Sequence, residues 1–223
     1  MADEMRKYIY GTPFTTTRVP VGFSYLYSIN DKGKFPSKKY EVTWRVRKTD
    51  TLFMSVIDAK IKEIFEANLA KGMLLNNTLA KIALPYKDGD RVADEKIRRA
   101  TLLKGDVEKA TKNASYDRGH WLFKAKSKNK PVIFGYKKPA KPGESSEAPL
   151  PEGTIIELND MVRLSLQAGF YLLQEDLTEG INFSFSSVQF MEKGTGGARR
   201  GATFGDDPEA DMVDRSSEGV TFE

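Results

Sequence analysis

The chain has 223 residues, of which 39% are hydrophobic and 11% aromatic, enough to fill one core. It contains no cysteine and a single histidine, His120, which excludes disulfides, thiolate zinc sites, a cysteine nucleophile and multi-histidine metal sites within one chain. The net charge of +4 hides an asymmetry: residues 204–223 hold seven acids and one base, leaving 34 bases and 24 acids in residues 1–203.

Along the chain, "TPFTTTRVPVGFSYLYSI" is rich in Thr, Val and aromatics, and Phe23, Tyr25 and Tyr27 alternate as in a strand. "NDKGKFPS" reads as a loop. "KKYEVTWRVRK" predicts a strand with Tyr40, Val42, Trp44 and Val46 on a buried face and Lys39, Glu41, Thr43, Arg45 and Arg47 on a largely basic one. "SVIDAKIKEIFEANLAKG" changes period. Ile57, Ile61, Ile64, Phe65 and Leu69 share a helical face, and Gly72 is placed to cap its end. "ALPYKDGDRV" carries an Asp-Gly turn signal, and residues 92–114 read as an irregular or partly helical excursion.

"RGHWLFKAKSKNKPVIFGYKK", residues 118–138, holds seven Lys and Arg and no acid, interrupted by Trp121, Phe123, Phe134 and Tyr136. "HWLFKAKS" and "PVIFGYK" predict two strands. Residues 137–153 have four prolines and two glycines and read as an exposed loop. "DMVRLSLQAGFYLLQ" turns Val162, Leu164 and Leu166 inward with Arg163 outward. "GINFSFSSVQFME" does the same with Ile181, Phe183 and Phe185. Several alternating strands and one strong helix predict a mainly β fold, an OB-fold-like small β-barrel with long loops, over residues 1–195. Residues 196–223 read as a flexible linker and a disordered acidic tail, because their composition cannot repay ordering entropy.

The chemistry on offer is cationic and aromatic. Lys and Arg neutralise phosphates and release counterions, and rings stack on bases regardless of sequence, which favours single strands. Arg45, Arg47, Lys124, Lys126, Lys128 and Arg163 are the candidate backbone track, and Trp121, Phe123 and Tyr136 the candidate stacking rings. Trp121 and Phe123 alternate away from Lys124 and Lys126, so core packing competes with stacking for them, and Tyr25 is then an alternative ring. Asp88, Asp90, Glu157 and Asp160 would have to gather a metal for a nuclease, but no spacing marks them. No phosphate-binding GxxxxGK[ST] loop occurs, and no cofactor or metal is expected.

The order of "TPFTTTRVPVGFSYLY", "KKYEVTWRVRK", "LPYKDGD", "GHWLFKAKSKNKP", "LNDMVRLSLQAGFYLLQ" and "GINFSFSSVQFMEKG" resembles phage single-stranded DNA-binding proteins with an OB-fold and an acidic C-terminal tail. The resemblance covers most of residues 11–194. It implies a non-enzymatic protein that coats single-stranded DNA during phage replication and recombination. It also implies a tail that competes with DNA and contacts replication proteins, through residues such as Asp206, Asp207, Asp211, Asp214 and Phe222. Here Phe222 is followed by Glu223. A single-strand annealing recombination protein is the alternative reading. With no apolar run of membrane-spanning length and no signal-peptide pattern at the start, the expected location is the cytoplasm of the host cell, with no membrane partner.

Overall fold

The computed structural model describes residues 8–31, 36–141, 144–173 and 177–194. It begins with a short strand, β1 (Phe14–Thr15), followed by β2 (Val19–Tyr25) and β3 (Tyr40–Arg47). In β3 the alternation holds on the inner side, where Val42, Trp44 and Val46 are buried. Tyr27, expected to continue the alternation of Phe23 and Tyr25, lies beyond β2 and is exposed; its hydroxyl accepts the Ile156 N–H.

Helix α1 (Thr51–Ala70) follows β3 directly. The Asp50 side chain caps it by accepting the Phe53 N–H. Its buried side carries Phe53, Ile57, Ile61, Ile64 and Phe65, as the helical period requires. Leu69 does not join them and is 39% exposed. Asn68 takes the buried place instead, its amide donating to the carbonyls of Ile9 and Ile64 while its oxygen accepts the Ile9 N–H. Gly72 follows the helix at φ +64°, the left-handed conformation expected of a terminating glycine.

After a 3₁₀ turn at Leu79–Lys81 come β4 (Tyr86–Asp88) and two helices, α2 (Gly89–Leu102) and α3 (Val107–Ala114). Residues 92–114 are therefore more regular than the sequence indicates. They escape the periodicity argument because their apolar sides are short and built largely on alanine, with Ala93, Ile97 and Ala100 in α2 and Val107, Ala110 and Ala114 in α3, of which only Ala93 and Ala114 are buried. The Asp88-Gly89 pair is a strand-to-helix junction, where the Asp88 side chain accepts the N–H groups of Asp90 and Arg91.

The chain closes with β5 (His120–Ser127), β6 (Val132–Tyr136), β7 (Glu147–Ala148), β8 (Met161–Leu173) and β9 (Thr178–Glu192). β7 lies in the Pro-rich loop and pairs with β6. β2–β3, β3–β5, β8–β9 and β2–β8 are antiparallel, and β5–β9 is parallel. These five pairings close a ring in the order β2-β3-β5-β9-β8, the strand arrangement of an OB-fold. β2–β8 and β5–β9 meet over two residue pairs each, and the interior of the ring holds one core with the apolar side of α1. Val162, Leu164 and Leu166 of β8 and Ile181, Phe183 and Phe185 of β9 all face inward, as predicted. Among the described residues, no helix is long and apolar enough to cross a membrane.

Candidate nucleic-acid interface

Strands β3 and β5 pair over their whole length, so the outward side of one aligns with the outward side of the other. Glu41 stands opposite Lys126, Thr43 opposite Lys124, Arg45 opposite Leu122 and Arg47 opposite His120. Four cations thus share one two-stranded surface. Arg47 is exposed, while Lys124, Lys126 and Arg45 are partly covered. The Arg45 guanidinium donates to the Tyr116 carbonyl at 2.8 Å and to the Asn159 side chain at 3.4 Å, and lies 6.0 Å from the centre of the Tyr116 ring. Lys124 and Lys126 form ion pairs with Glu41 at 3.1 Å and 3.8 Å. Lys128 is exposed in the turn that follows β5.

β2 borders this surface. Its register against β3 slips between Val21, opposite Trp44, and Ser24, opposite Val42, so three steps of β2 span two of β3. This is a bulge of one residue. The Thr43 hydroxyl fills the gap, accepting the Phe23 N–H and donating to the Phe23 carbonyl. A side chain at Gly22 would meet that hydroxyl at 2.7 Å. Beyond the bulge Tyr25 lies opposite Glu41, on the outward side. The Phe23 and Tyr25 rings are half-buried and meet edge-to-face at 4.7 Å. The surface therefore combines cations with two aromatic rings, which sequence periodicity alone ranks low.

The predicted stacking rings lie elsewhere. Phe123 is 2% exposed and packs parallel to Trp44 at 5.2 Å, with Phe53 and Tyr86 against its other sides. It is a core ring and not the base-stacking ring expected from the sequence, because on β5 it points opposite to Lys124. Trp121 shares that inner side, half-buried, with its ring against Tyr86 and under the Lys48 ammonium at 5.0 Å. Tyr136 stands on β6 opposite Glu147, away from the paired length of β3 and β5. Arg163 stands on β8 opposite Gln189. Its Nε donates to the Thr16 carbonyl, and it lines a polar cleft of about 260 Å³ with Ser165 and Gln189. The ring order places β2 between β8 and β3, so Arg163 is not brought together with Arg45 or Lys124. Asp206, Asp207, Asp211, Asp214 and Phe222 lie outside the described residues.

The four carboxylates weighed as metal ligands face lysines. Lys48 bridges Asp88 and Asp90 at 2.5 Å and 2.8 Å, and Lys193 bridges Glu157 and Asp160 at 3.3 Å and 3.0 Å. Hydrogen bonds from Lys48 hold the carboxyls of Asp88 and Asp90 below the usual range and raise the ammonium in turn. No group of three or more metal-ligating side chains converges among the described residues.

The chain is similar to the single-stranded DNA-binding protein of bacteriophage Enc34, solved in complex with single-stranded DNA, at 18% identity and a TM-score of 0.52. The match covers 82% of this chain and 89% of that one. The fold is that of a phage single-stranded DNA-binding protein. A C-terminally truncated form of the Enc34 protein matches at 17% identity and a TM-score of 0.50, over 81% of this chain and 86% of that one. The single-stranded DNA-binding protein gp2.5 of bacteriophage T7 also aligns, at 13% identity and a TM-score of 0.46, over 95% of this chain and all of that one. No family model matches the sequence, and no curated protein does.

Proposed function

We propose that the chain binds single-stranded DNA without sequence preference, on the outward face of β3 and β5, as a non-enzymatic coat for phage replication and recombination intermediates. The observation that carries this reading is the convergence of Arg45, Arg47, Lys124 and Lys126 on one side of two paired strands, bordered by Phe23 and Tyr25. In OB-folds this two-strand face is the surface that takes oligonucleotides. Cations spaced along strands track a phosphate backbone, and rings at the border stack on whichever base is presented. The Enc34 protein's complex with single-stranded DNA lends support from a shared fold. One such fold spans roughly 4–16 nucleotides.

A titration of oligo(dT) and of duplex DNA at 50 and 200 mM salt tests the reading. Three to four phosphate contacts on a single strand give a salt slope of about −2 to −3, so affinity falls about 20- to 50-fold across that range. A preference for duplex, or a slope near zero, refutes it. We further propose that the acidic tail competes for this face and engages replication proteins, on the grounds of its charge: seven acids against one base in residues 204–223. Deleting those residues should raise affinity and steepen the slope. Equal or weaker binding argues against competition. Loss of a partner in pull-downs with Phe222→Ala would support the anchoring role of that ring, and unchanged capture would count against it.

A further inference from the structure

The outward side of β3 and β5 contains one acid among its cations. Glu41 is 1% exposed although it lies on the outer side of the strand. Neither of its carboxylate oxygens accepts a hydrogen bond, and its counter-charges are the ammoniums of Lys124 and Lys126. A carboxylate taken out of water without hydrogen bonds is costly and persists only beside cations. The lysines are drawn over it: their side chains are 28% and 16% exposed, well below a solvated lysine. Two positive charges and one negative charge therefore occupy the middle of the cationic surface.

We propose that Glu41 is an internal anion of the binding face, which occupies Lys124 and Lys126 so that the three groups act on a phosphate backbone as one positive charge. The inference rests on the DNA-binding reading above and adds a residue that limits affinity. A strand held by fewer effective cations leaves more readily, as a coat that must yield to other proteins requires.

The test is oligo(dT) binding by the full-length chain, followed by fluorescence anisotropy from 50 mM to 200 mM salt. Glu41→Gln frees one charge, so its salt slope should steepen by about 0.7. Its affinity advantage over the parent should then shrink about threefold between those salt concentrations. The double variant Glu41→Gln, Lys126→Gln restores the parent net charge and leaves no buried carboxylate, so its slope should match the parent's. It also keeps the question open to test if Glu41→Gln alone fails to fold. A double variant with a slope shallower by about 0.7, or a folded Glu41→Gln chain with an unchanged slope or weaker binding, overturns the proposal. If the parent itself shows no preference for single strands, the DNA-binding reading fails and the proposal falls with it. Normal parent binding with either of the other results defeats the Glu41 inference alone.

Discussion

Phe123→Ala and Phe23→Ala should separate the core from the binding surface. Phe123 lies at 10° to the Trp44 ring and meets Phe53 and Tyr86 at 5.7 Å and 5.3 Å. Truncating it leaves a cavity walled by three rings on a closed strand ring that has little room to collapse. Such a change costs about 3–5 kcal/mol, against about 5–15 kcal/mol for the whole fold of a typical domain. It touches nothing on the outward face, so the affinity of the folded chain should stay within about twofold. Phe23 is half-buried at the border of that face, and its removal should cost little stability. Loss of one stacking contact, worth about 1–3 kcal/mol, lowers affinity about 5- to 150-fold. Urea denaturation followed by tryptophan fluorescence reads the first effect, because Trp44 and Trp121 both adjoin the cluster. Oligo(dT) titration under conditions where each variant is folded reads the second. The reasoning fails if Phe123→Ala keeps parental stability but loses tenfold in affinity, or if Phe23→Ala binds as the parent does.

Three further outcomes concern the framework. Asp88 and Asp90 titrate below the ordinary range because Lys48 hydrogen-bonds to them, so their stabilising effect is complete above about pH 4 and is lost as pH falls through the lower folded values. Lys48→Met should therefore flatten the dependence of Tm on pH in that acid window and leave the slope near neutrality unchanged; a parental acid profile would refute the assignment. Tyr86 is pushed up to about 12 by burial and by its hydrogen bond to Asp58, so its contribution is present below about pH 10 and is lost as pH rises through 12. Ultraviolet titration of the parent against Tyr86→Phe should show one phenol absent from the ordinary range, and a difference spectrum appearing at pH 10 would contradict it. A side chain at Gly89 would collide with the Asp117 carbonyl and lie 2.6 Å from that of His120, so Gly89→Ala should cost about 1–3 kcal/mol in urea denaturation. A parental midpoint would show that the turn before β5 yields freely.

The strands whose alternation is strict were readable because each has one face in the core and one in water. Val42, Trp44 and Val46 follow that rule, and so do the inward residues of β8 and β9. α1 was readable for the same reason at a different period, except where Asn68 finds backbone partners and displaces Leu69 from the core. α2 and α3 were not, since their apolar sides are short, alanine-rich and mostly half-covered. Arg45, Arg47, Lys124 and Lys126 were found from composition and parity together, and the structure aligns them on one surface. The rings were harder to place. A basic run with aromatics inside it marks a surface only on one parity, and Phe123 falls on the other. Glu41 looked like one outward residue among several. Its counter-charges are two lysines that come from another strand, more than eighty positions away.

The slip between Val21 and Ser24 governs which residues of β2 a partner can meet. Val19, Val21, Phe23 and Tyr25 are all odd-numbered, and an unbroken pleat would send all four to the same side. The single extra residue resets the phase, so that Val19, Val21 and Leu26 are buried while Tyr25 sits opposite Glu41 on the outer side. Strand polarity here behaves like a reading frame: straightening the bulge with every residue retained would leave the composition untouched and turn the far half of β2 inside out. Aromatic rings would enter the core and Leu26 would face the solvent. The aromatic border of this face is thus encoded by a count of residues as much as by their kind.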